Sequence, residues 1–210
     1  FGYCLMKRKV ALFDFDNTLA TGDSIVRLLK YDIKKHPLHL FYFIKVAIYY
    51  TLYLLHLSSF EKAKSTLLFP LLSMNDEDLK YFYETCIMPT YYLNVVEKMQ
   101  QRKDEGYLVI LCTASIEAYM QYHDLPVDKL IGTKTKRVND RWIPEIIDKN
   151  CKKHQKVIYI QEYLNSCSIE IDYDNSYGYS DSNDDIPMLE LVKNKKRVLL
   201  KTGKIVDFKE

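Results

Sequence analysis

Apolar runs alternate with amphipathic segments along the chain and predict a sheet flanked by helices. Val10–Phe13 is a short apolar run typical of a buried strand, and residues 107–112 form a second one. Residues 93–103 have helical spacing and stop before Gly106, a residue suited to a helix C-terminus. The other predicted elements of this part are strands at 169–173, 177–179 and 197–200, helices at 116–123, 154–164 and 188–193, and a hairpin of 130–138 with 141–143 that turns at Asn139-Asp140. Strands that alternate with helices predict an α/β fold with a mainly parallel sheet and helices on both faces.

Residues 21–72 follow a different pattern, because they are helical in character and unusually aromatic. A further helix is predicted over residues 74–88, with Pro89 at its end. The predicted boundaries within the region are a turn at His36-Pro37, an N-cap at Ser58 or Ser59 before Glu61, and an N-cap at Asn75 or Asp76. The region therefore predicts an all-helical insertion between the first two strands.

One segment of this insertion, residues 38–57, is nearly all apolar or aromatic and approaches the ~20 residues of a bilayer span. Lys45 lies within it, and His39 and His56 lie near its ends. A lysine at mid-bilayer costs roughly 2.5 kcal/mol or more, which argues against a spanning helix. Two interpretations stay open: a buried or substrate-facing helix, and contact with a membrane surface or a lipid-like substrate.

Composition and charge narrow the function classes. Hydrophobic residues make up 48% of the 210 positions, with six glycines and six prolines, which indicates a packed globular protein. Lys plus Arg number 30 and Asp plus Glu 28, with no concentrated basic stripe, so no nucleic-acid partner is expected. The five cysteines are widely spaced and form no C-x-x-C pair, which favours a reducing compartment; with no signal-peptide pattern at the start, we expect a cytoplasmic protein. No feature of the sequence predicts an oligomeric state.

Two carboxylates directly follow the first predicted strand. Asp14 and Asp16 are two positions apart, so in an extended chain their side chains project in the same direction. Acids beside a hydrophobic strand cost free energy unless metal, charge or hydrogen bonds compensate them. In an open α/β sheet, ligands bind beyond the carboxyl ends of the strands. The pair therefore predicts a site at that edge of the sheet.

Other polar groups follow a strand or open a helix later in the chain. Taken singly, each has an ordinary explanation, because a threonine after a strand or acids around a turn commonly cap a helix, and a helical lysine is commonly solvated. Their order along the chain, one group to each element, is what an α/β crevice requires. These groups are Thr18, Thr113, Ser115, Lys156, Asp181 and Asp185.

In this order the segments resemble the motifs of the haloacid dehalogenase superfamily of phosphohydrolases, in particular the group similar to phosphoserine phosphatase (subfamily IB). The segments are Asp14-Phe15-Asp16-Asn17-Thr18-Leu19, Thr113-Ala114-Ser115, residues 151–156 and residues 179–189. The resemblance implies a Rossmann-like core, residues 1–21 and 90–210, with an inserted helical cap, residues 22–89. It also implies hydrolysis of a phosphomonoester through an aspartyl-phosphate, with Mg²⁺ as cofactor.

The resemblance assigns a role to each of these residues. Asp14 would be the nucleophile, and Asp16 the general acid and then the general base. The residues that would contact the phosphate are Thr113, Lys156, Asn17 and Ala114. Lys153 is an alternative to Lys156, but the spacing from Cys151 favours Lys156. Mg²⁺ would be held by Asp14, by the backbone carbonyl of Asp16 and by Asp181, while Thr18 and Asp185 would orient these groups.

Two departures affect the expected substrate. Phosphoserine phosphatases typically carry a serine and two glycines where this chain has Thr113-Ala114-Ser115, and the inserted region is rich in Tyr, Phe and Leu. We therefore expect a small phosphorylated metabolite, or a phosphomonoester with an apolar group. The alternatives are phosphoserine itself, a lipid-like phosphomonoester hydrolysed by a membrane-associated enzyme, and dehalogenation of small acids. Dehalogenation has no use for an acid at the position of Asp16, since no alkoxide leaves.

Overall fold

The computed structural model describes residues 6–209. The strands are β1 Met6–Arg8, β2 Val10–Phe13, β3 Leu108–Ile116, β4 Lys129–Thr133, β5 Thr135–Val138, β6 Arg141–Ile146, β7 Ile169–Ile171, β8 Tyr177–Ser180, β9 Asn194–Val198 and β10 Ile205–Asp207. The helices are α1 Ser24–Lys35, α2 Tyr42–Leu54, α3 Phe60–Thr66, α4 Asp76–Phe82, α5 Leu93–Asp104, α6 Glu117–Met120, α7 His154–Ser166 and α8 Ile186–Leu189. A π-helical turn, Tyr83–Ile87, extends α4.

The main sheet has six strands in the order β10-β9-β8-β2-β3-β4, and every neighbouring pair is parallel except β9 with β10. Central strand β2 pairs with β3 on one side and with β8 on the other. The chain reaches these two neighbours by separate crossovers, so the carboxyl end of β2 lies at the point where the strand order reverses. Ligands of open α/β sheets bind at such a point.

Both faces of the sheet are covered, as strand β2 illustrates. Its four residues are completely buried, which matches their continuous apolar run. Ala11 and Phe13 belong to one hydrophobic cluster, whereas Val10 and Leu12 belong to another on the opposite face. Helices α5 and α6 contribute to the first cluster, and α7 and α8 to the second. The predicted α/β fold with a mainly parallel sheet and helices on both faces is confirmed.

Between β2 and β3 the described chain contains helices, turns and two isolated β-bridges, Asp16 with Ala20 and Ala20 with Tyr91. Helix α3 starts at an N-cap on Ser59, whose hydroxyl accepts a hydrogen bond from Lys62 N at 3.2 Å. Asn75 forms a capping box with Asp78 at the start of α4, so two backbone donors that the helix leaves unpaired are satisfied. The helical insertion has the predicted character, while the boundaries 22–89 stay a prediction.

Several predicted boundaries need correction. The helix expected at 116–123 spans only Glu117–Met120, because Ile116 still pairs with Thr133 beyond an irregularity in β3. Residues 129–133 belong to the main sheet, so the hairpin comprises β5 and β6 alone; its predicted turn is present, with positive φ at Asn139 and Asp140. Helix α8 ends at Leu189 rather than at 193. The last predicted strand lies earlier, at β9, and β1 and β10 lie where no strand was predicted.

Candidate active site

A buried cluster of charges lies at the carboxyl end of β2. Asp14 is the first residue after that strand, and its Oδ1 accepts a hydrogen bond from Lys156 Nζ at 2.6 Å. The same ammonium lies 2.7 Å from Asp185 Oδ1. All three side chains are buried. Lys156 lies on α7 and Asp185 lies directly before α8, so these two segments fix the position of the Asp14 carboxylate. Removing one partner from such a cluster would leave an uncompensated buried charge.

A hydroxyl connects Asp14 to a further carboxylate. The Oγ1 of buried Thr18 lies 3.4 Å from Asp14 Oδ2 and 3.0 Å from Asp181 Oδ1. It also accepts a hydrogen bond from the backbone N–H of Asp181 at 3.0 Å. The turn after β2 and the end of β8 are therefore held together by one side chain. Asp14 and Asp181 share this small volume, on adjacent strands.

Asp16 is held by a separate network of hydroxyl groups. Its Oδ1 accepts a hydrogen bond from the backbone N–H of Ser24 at 2.9 Å, and its Oδ2 accepts one from Ser115 Oγ at 2.6 Å. Ser24 Oγ lies 3.1 Å from the same Oδ2 and 2.7 Å from the hydroxyl of Tyr119. Ser24 begins α1, and Ser115 lies on β3. This network joins the turn after β2 to the first helix of the insertion.

Burial shifts the pKa values of the site. It raises the pKa of Asp16 to about 6, although the hydrogen bond from Ser115 acts in the opposite direction. Burial likewise raises the pKa of Asp14, against the lowering effect of the Lys156 ammonium. For Lys156 burial lowers the pKa, but Asp14 and Asp185 outweigh burial, so the pKa lies above its ordinary value. Near neutral pH, Asp16 can therefore exist in either protonation state.

The residues expected to contact phosphate lie around these acids. Thr113 and Ala114 lie in the irregularity of β3, between the paired residues Cys112 and Ile116, and both line the same cavity as Asp14. The Thr113 hydroxyl accepts a hydrogen bond from Ser115 N at 3.0 Å. Asn17 has a left-handed backbone, φ 62°, and its Oδ1 accepts a hydrogen bond from Gly22 N at 2.8 Å. The Asn17 side chain thus stabilises the turn through its oxygen.

A lysine from the insertion reaches into the core. Lys64 of α3 donates hydrogen bonds to the carbonyl oxygen of Ala114 at 2.7 Å and to Asn150 Oδ1 at 2.5 Å. Burial lowers the pKa of Lys64 to about 8, although Asp16 acts in the opposite direction. Lys64 therefore joins the helical insertion to the core and places a titratable cation at the cavity.

The cavity that these residues enclose has a volume of about 460 Å³. Six aspartates and three lysines line it, so carboxylates outnumber ammonium groups. The aspartates are Asp14, Asp16, Asp23, Asp181, Asp184 and Asp185, and the lysines are Lys64, Lys152 and Lys156. The insertion contributes an apolar and aromatic wall: Ile25, Val26, Tyr50, Phe60 and Leu67. The core thus contributes most of the charged lining, which we call the floor, while the insertion contributes the apolar wall together with Asp23 and Lys64.

The chemistry of the floor suits a hard cation. Asp14, Asp16 and Asp181 offer oxygen donors only, which is the ligand type that Mg²⁺ prefers. Within residues 6–209, no group of three or more His, Cys, Asp or Glu side chains is arranged to hold a metal ion. A set of two carboxylates and one backbone carbonyl does not require such a group, because Mg²⁺ keeps several waters and can bind substrate phosphate.

Four residues of this site went unpredicted: Ser24, Lys64, Tyr119 and Asn150. Ser24 and Tyr119 support Asp16 through hydroxyl groups, and each is an ordinary helix residue in the sequence. Lys64 is one of several lysines in the insertion, and only the folding of α3 against the core distinguishes it. Lys153, the rival to Lys156, has an exposed side chain that lies 3.6 Å from Asp184.

The chain resembles known proteins over most of its length. The family model described as haloacid dehalogenase-like hydrolase matches residues 11–190. A comparison with curated proteins finds no match. Among solved structures, a protein with unknown function from Bordetella pertussis Tohama I is similar with a TM-score of 0.74 and 23% identity, covering 90% of this chain and 89% of that one.

Two phosphoserine phosphatase structures are also similar. One, a phospho-aspartyl intermediate analogue, has a TM-score of 0.60 and 17% identity, covering 90% of this chain and 86% of that chain. The other, a substrate-bound complex, has a TM-score of 0.61 and 16% identity, covering 90% and 85% respectively. At these identities the likeness shows the fold.

Proposed function

Because the chain belongs to the haloacid dehalogenase-like hydrolase family, we propose that it is a magnesium-dependent phosphatase acting on phosphomonoesters. The observation that carries the proposal is the Asp14 carboxylate, held by Lys156 at 2.6 Å in a cavity that Asp16 also lines. One acid is paired with a cation, while the other is held by hydroxyl groups. Two carboxylates in such different surroundings suit two different roles.

In the first half-reaction, an Asp14 oxygen attacks the phosphorus of the substrate. The P–O bond to the leaving group breaks, and an aspartyl-phosphate forms. Asp16 donates its proton to the departing alkoxide, which leaves as an alcohol. The raised pKa of Asp16, about 6, supports this role because a group that titrates near the working pH can both give and receive a proton.

In the second half-reaction, the Asp16 carboxylate removes a proton from water. The water oxygen attacks phosphorus, the bond to Asp14 breaks, and inorganic phosphate leaves. Asp14 is again a carboxylate and Asp16 again carries a proton, so both residues return to their starting states. The hydroxyls of Ser24 and Ser115 keep the Asp16 carboxylate in place throughout.

Lys156 and Thr113 stabilise the charge on the phosphoryl oxygens in this proposal. Lys156 supplies an ammonium beside the nucleophile, and Thr113 supplies a hydroxyl on the neighbouring strand. Such donors are effective because they are already oriented in a site that excludes water. Asp185 keeps Lys156 in position through its 2.7 Å contact.

Mg²⁺ fits the oxygen donors of this site. Asp14 and Asp181 would hold it with their carboxylates, and Asp16 with its backbone carbonyl. When bound, the ion offsets the negative charge of the phosphate and of the surplus carboxylates. Thr18 orients the two carboxylate ligands through its hydroxyl, at 3.4 Å from Asp14 and 3.0 Å from Asp181.

The substrate that we propose is a small phosphorylated metabolite or a phosphomonoester with an apolar leaving group. The support is the apolar wall, because Val26, Tyr50 and Phe60 line the same cavity as the charged floor. Ligand sites commonly combine an apolar lining with a few polar groups that fix orientation. A lipid-like phosphomonoester is the extreme member of this class and is the second candidate. Phosphoserine offers this wall nothing apolar.

A cytoplasmic setting is part of the proposal. None of the four cysteines in the described chain forms a disulfide, including Cys112 and Cys151, whose sulfur atoms lie 3.6 Å apart in the core. Free thiols at this separation are consistent with a reducing compartment.

Phosphate release from para-nitrophenyl phosphate, measured with added Mg²⁺ and with excess chelator, tests the activity. We expect turnover only with the metal. A panel of phosphorylated amino acids, sugars, nucleotides, amino alcohols and lysophospholipids then tests the substrate class. A preference for phosphoserine would reject the apolar leaving group, and metal-independent release of halide from 2-haloacids would reject the phosphatase.

A further inference from the structure

Helix α2 exposes aliphatic side chains that an ordinary surface helix would bury. The only buried residue on it is Val46, which is 9% exposed. The side chains on the same face as Val46 are half-buried tyrosines: Tyr42, Tyr49, Tyr50 and Tyr53. The opposite face carries Ile44, 61% exposed, and Ile48, 53% exposed. A helix normally turns its aliphatic residues inward and its polar residues to solvent, so this helix presents its most apolar side to the outside.

The exposed apolar residues form a stripe that Thr51 interrupts. Phe41, Ile44, Ile48 and Leu55 lie three, four and seven positions apart, which places them on one side of the helix. The turns at both ends of α2 extend the stripe. We call the whole set the outer apolar surface: Leu38, Leu40, Phe41, Phe43, Ile44, Ile48, Leu54, Leu55 and Leu57. Apolar patches of this extent mark sites of interaction with other molecules.

Length determines how such a helix can meet a bilayer. With 13 residues, α2 is about 20 Å long, whereas the hydrocarbon core is about 30 Å thick. No helix in the described range 6–209 is long and apolar enough to cross a membrane. A helix that is too short to span can still bury an exposed apolar face in the plane of the interface.

The charges around the outer apolar surface select its partner. Between Asp32 and Glu61 the chain contains no Asp or Glu, but it contains Lys34, Lys35 and Lys45. Lysines beside an apolar face favour anionic lipid, at about 1 kcal/mol each near the surface. If a second copy of the chain docked through the same segment, the segment would supply no carboxylate to pair with these lysines. Charge complementarity therefore favours a lipid surface over self-association.

We propose that the outer apolar surface docks onto an anionic phospholipid bilayer, with α2 lying in the plane of the interface. In the docked state the lysine ammonium groups reach toward the headgroups, so Lys35 leaves the Tyr31 ring and Lys45 the Tyr49 ring, which lie 4.4 Å and 6.0 Å away in the structure. The aliphatic stripe then enters the acyl boundary. The inner face of the same helix contributes Tyr50 to the cavity described above, so docking holds the cavity close to the membrane. The proposal itself does not depend on phosphatase activity.

Sedimentation of the full chain with two kinds of vesicle tests the proposal. One kind is phosphatidylcholine alone, and the other contains added phosphatidylglycerol. The wild-type protein is expected to sediment with the anionic vesicles, and less so at high salt because salt screens the lysines. The double substitution Ile44→Gln and Ile48→Gln should lower the partition coefficient by about tenfold or more.

The matched control removes equally exposed aliphatic residues elsewhere. Leu93 is 72% exposed and Leu200 56% exposed, and both lie outside the insertion. Replacing both by Gln should leave vesicle binding unchanged, and circular dichroism of both double variants should match the wild type. Lys34→Gln with Lys35→Gln and Lys45→Gln should weaken binding to anionic vesicles selectively.

Three results would overturn the proposal. The wild type could stay in the supernatant with both kinds of vesicle, or the Ile44/Ile48 variant could bind as well as the wild type. Sedimentation velocity could also show a dimer that the same variant dissociates, without any vesicle binding. That last result would assign the surface to a second copy of the chain.

Discussion

Charged side chains are usually exposed and apolar side chains are usually buried. The floor of the cavity departs from the first tendency, and the outer side of α2 departs from the second. At the floor, charged side chains are buried or half-buried, and each has a close partner: buried Asp14 and Asp185 contact Lys156, while half-buried Asp181 contacts Thr18. On α2, aliphatic side chains are exposed. Buried charge is costly unless compensated, and exposed apolar area is costly unless covered. At the floor, side chains of the same chain therefore compensate much of the buried charge, whereas the outer side of α2 requires another molecule to cover it.

The largest expected effect comes from the nucleophile that we propose. Asp14→Asn keeps the shape of the side chain but removes its negative charge and its ability to form an acyl phosphate. We expect phosphatase turnover to fall by a factor on the order of 10⁴ or more. The measurement is phosphate release under saturating Mg²⁺, with circular dichroism as a check of folding. If the variant retained activity, a residue other than Asp14 would be the nucleophile.

Asp16→Asn should have a smaller effect, because the nucleophile stays intact. Loss of the general acid and base is expected to slow each half-reaction by about 10²- to 10⁴-fold. If hydrolysis of the aspartyl-phosphate slows more than its formation, the phosphorylated chain accumulates and intact-protein mass spectrometry detects it. If this variant kept the wild-type rates, Asp16 would not be the residue that transfers the proton.

The third effect concerns stability rather than turnover. Lys156→Ala leaves two buried carboxylates facing each other, so we expect a loss of about 3–5 kcal/mol in the free energy of unfolding. Lys153→Ala is the control, since that side chain is exposed, and its effect should stay within about 0.5 kcal/mol. Urea unfolding measures both. Equal losses in the two variants would show that the buried cluster does not stabilise the fold.

A moderate effect is expected from substituting Lys64, the lysine of the helical insertion that lines the cavity. The pKa of Lys64 is about 8, so its positive charge decreases as the pH rises through that value. If the ammonium attracts substrate phosphate, KM should rise above pH 8. Lys64→Met should raise KM by about tenfold at pH 7 and remove this pH dependence. Lys62→Met, an exposed neighbour on α3, is the control; identical pH profiles in wild type and Lys64→Met would reject a role in substrate binding.

The smallest effect is expected on the exposed side of α2, where a substitution should barely change the free energy of unfolding. Ile48→Gln should change the free energy of unfolding by no more than about 0.5 kcal/mol, because its side chain is already in water. Leu12→Ala, in the fully buried strand β2, should cost about 2–5 kcal/mol. Both values come from denaturant titration. A large loss in Ile48→Gln would mean that this residue supports the fold.

Local chemistry made part of this structure predictable. The apolar run of β2, the cap at Asn75 and the turn at Asn139-Asp140 each have a short-range physical cause, and all three are present. Strand β10 has only three residues, and its pairing with β9 depends on tertiary placement. The sequence also could not distinguish the inner and outer faces of α2, because its apolar residues occur all around the helix.

The candidate site was predictable where a motif marks it. Asp14, Asp16 and Asp181 stand in segments whose order along the chain carries information, and the fold brings them to one cavity. Lys64 and Asn150 meet across 86 positions. No local pattern records such a contact, since it depends on how one helix folds back onto the core.

The attachment of Asp16 to Ser24 has a consequence for the timing of the reaction. The backbone N–H and the hydroxyl of the first residue of α1 both bind the carboxylate, 2.9 Å and 3.1 Å away. A movement that withdrew this helix would admit water around Asp16 and return its acidity to that of an ordinary aspartate. Such an acid would be fully ionised at neutral pH and would have no proton to give. Proton transfer would then be confined to the interval in which the helix stays in place.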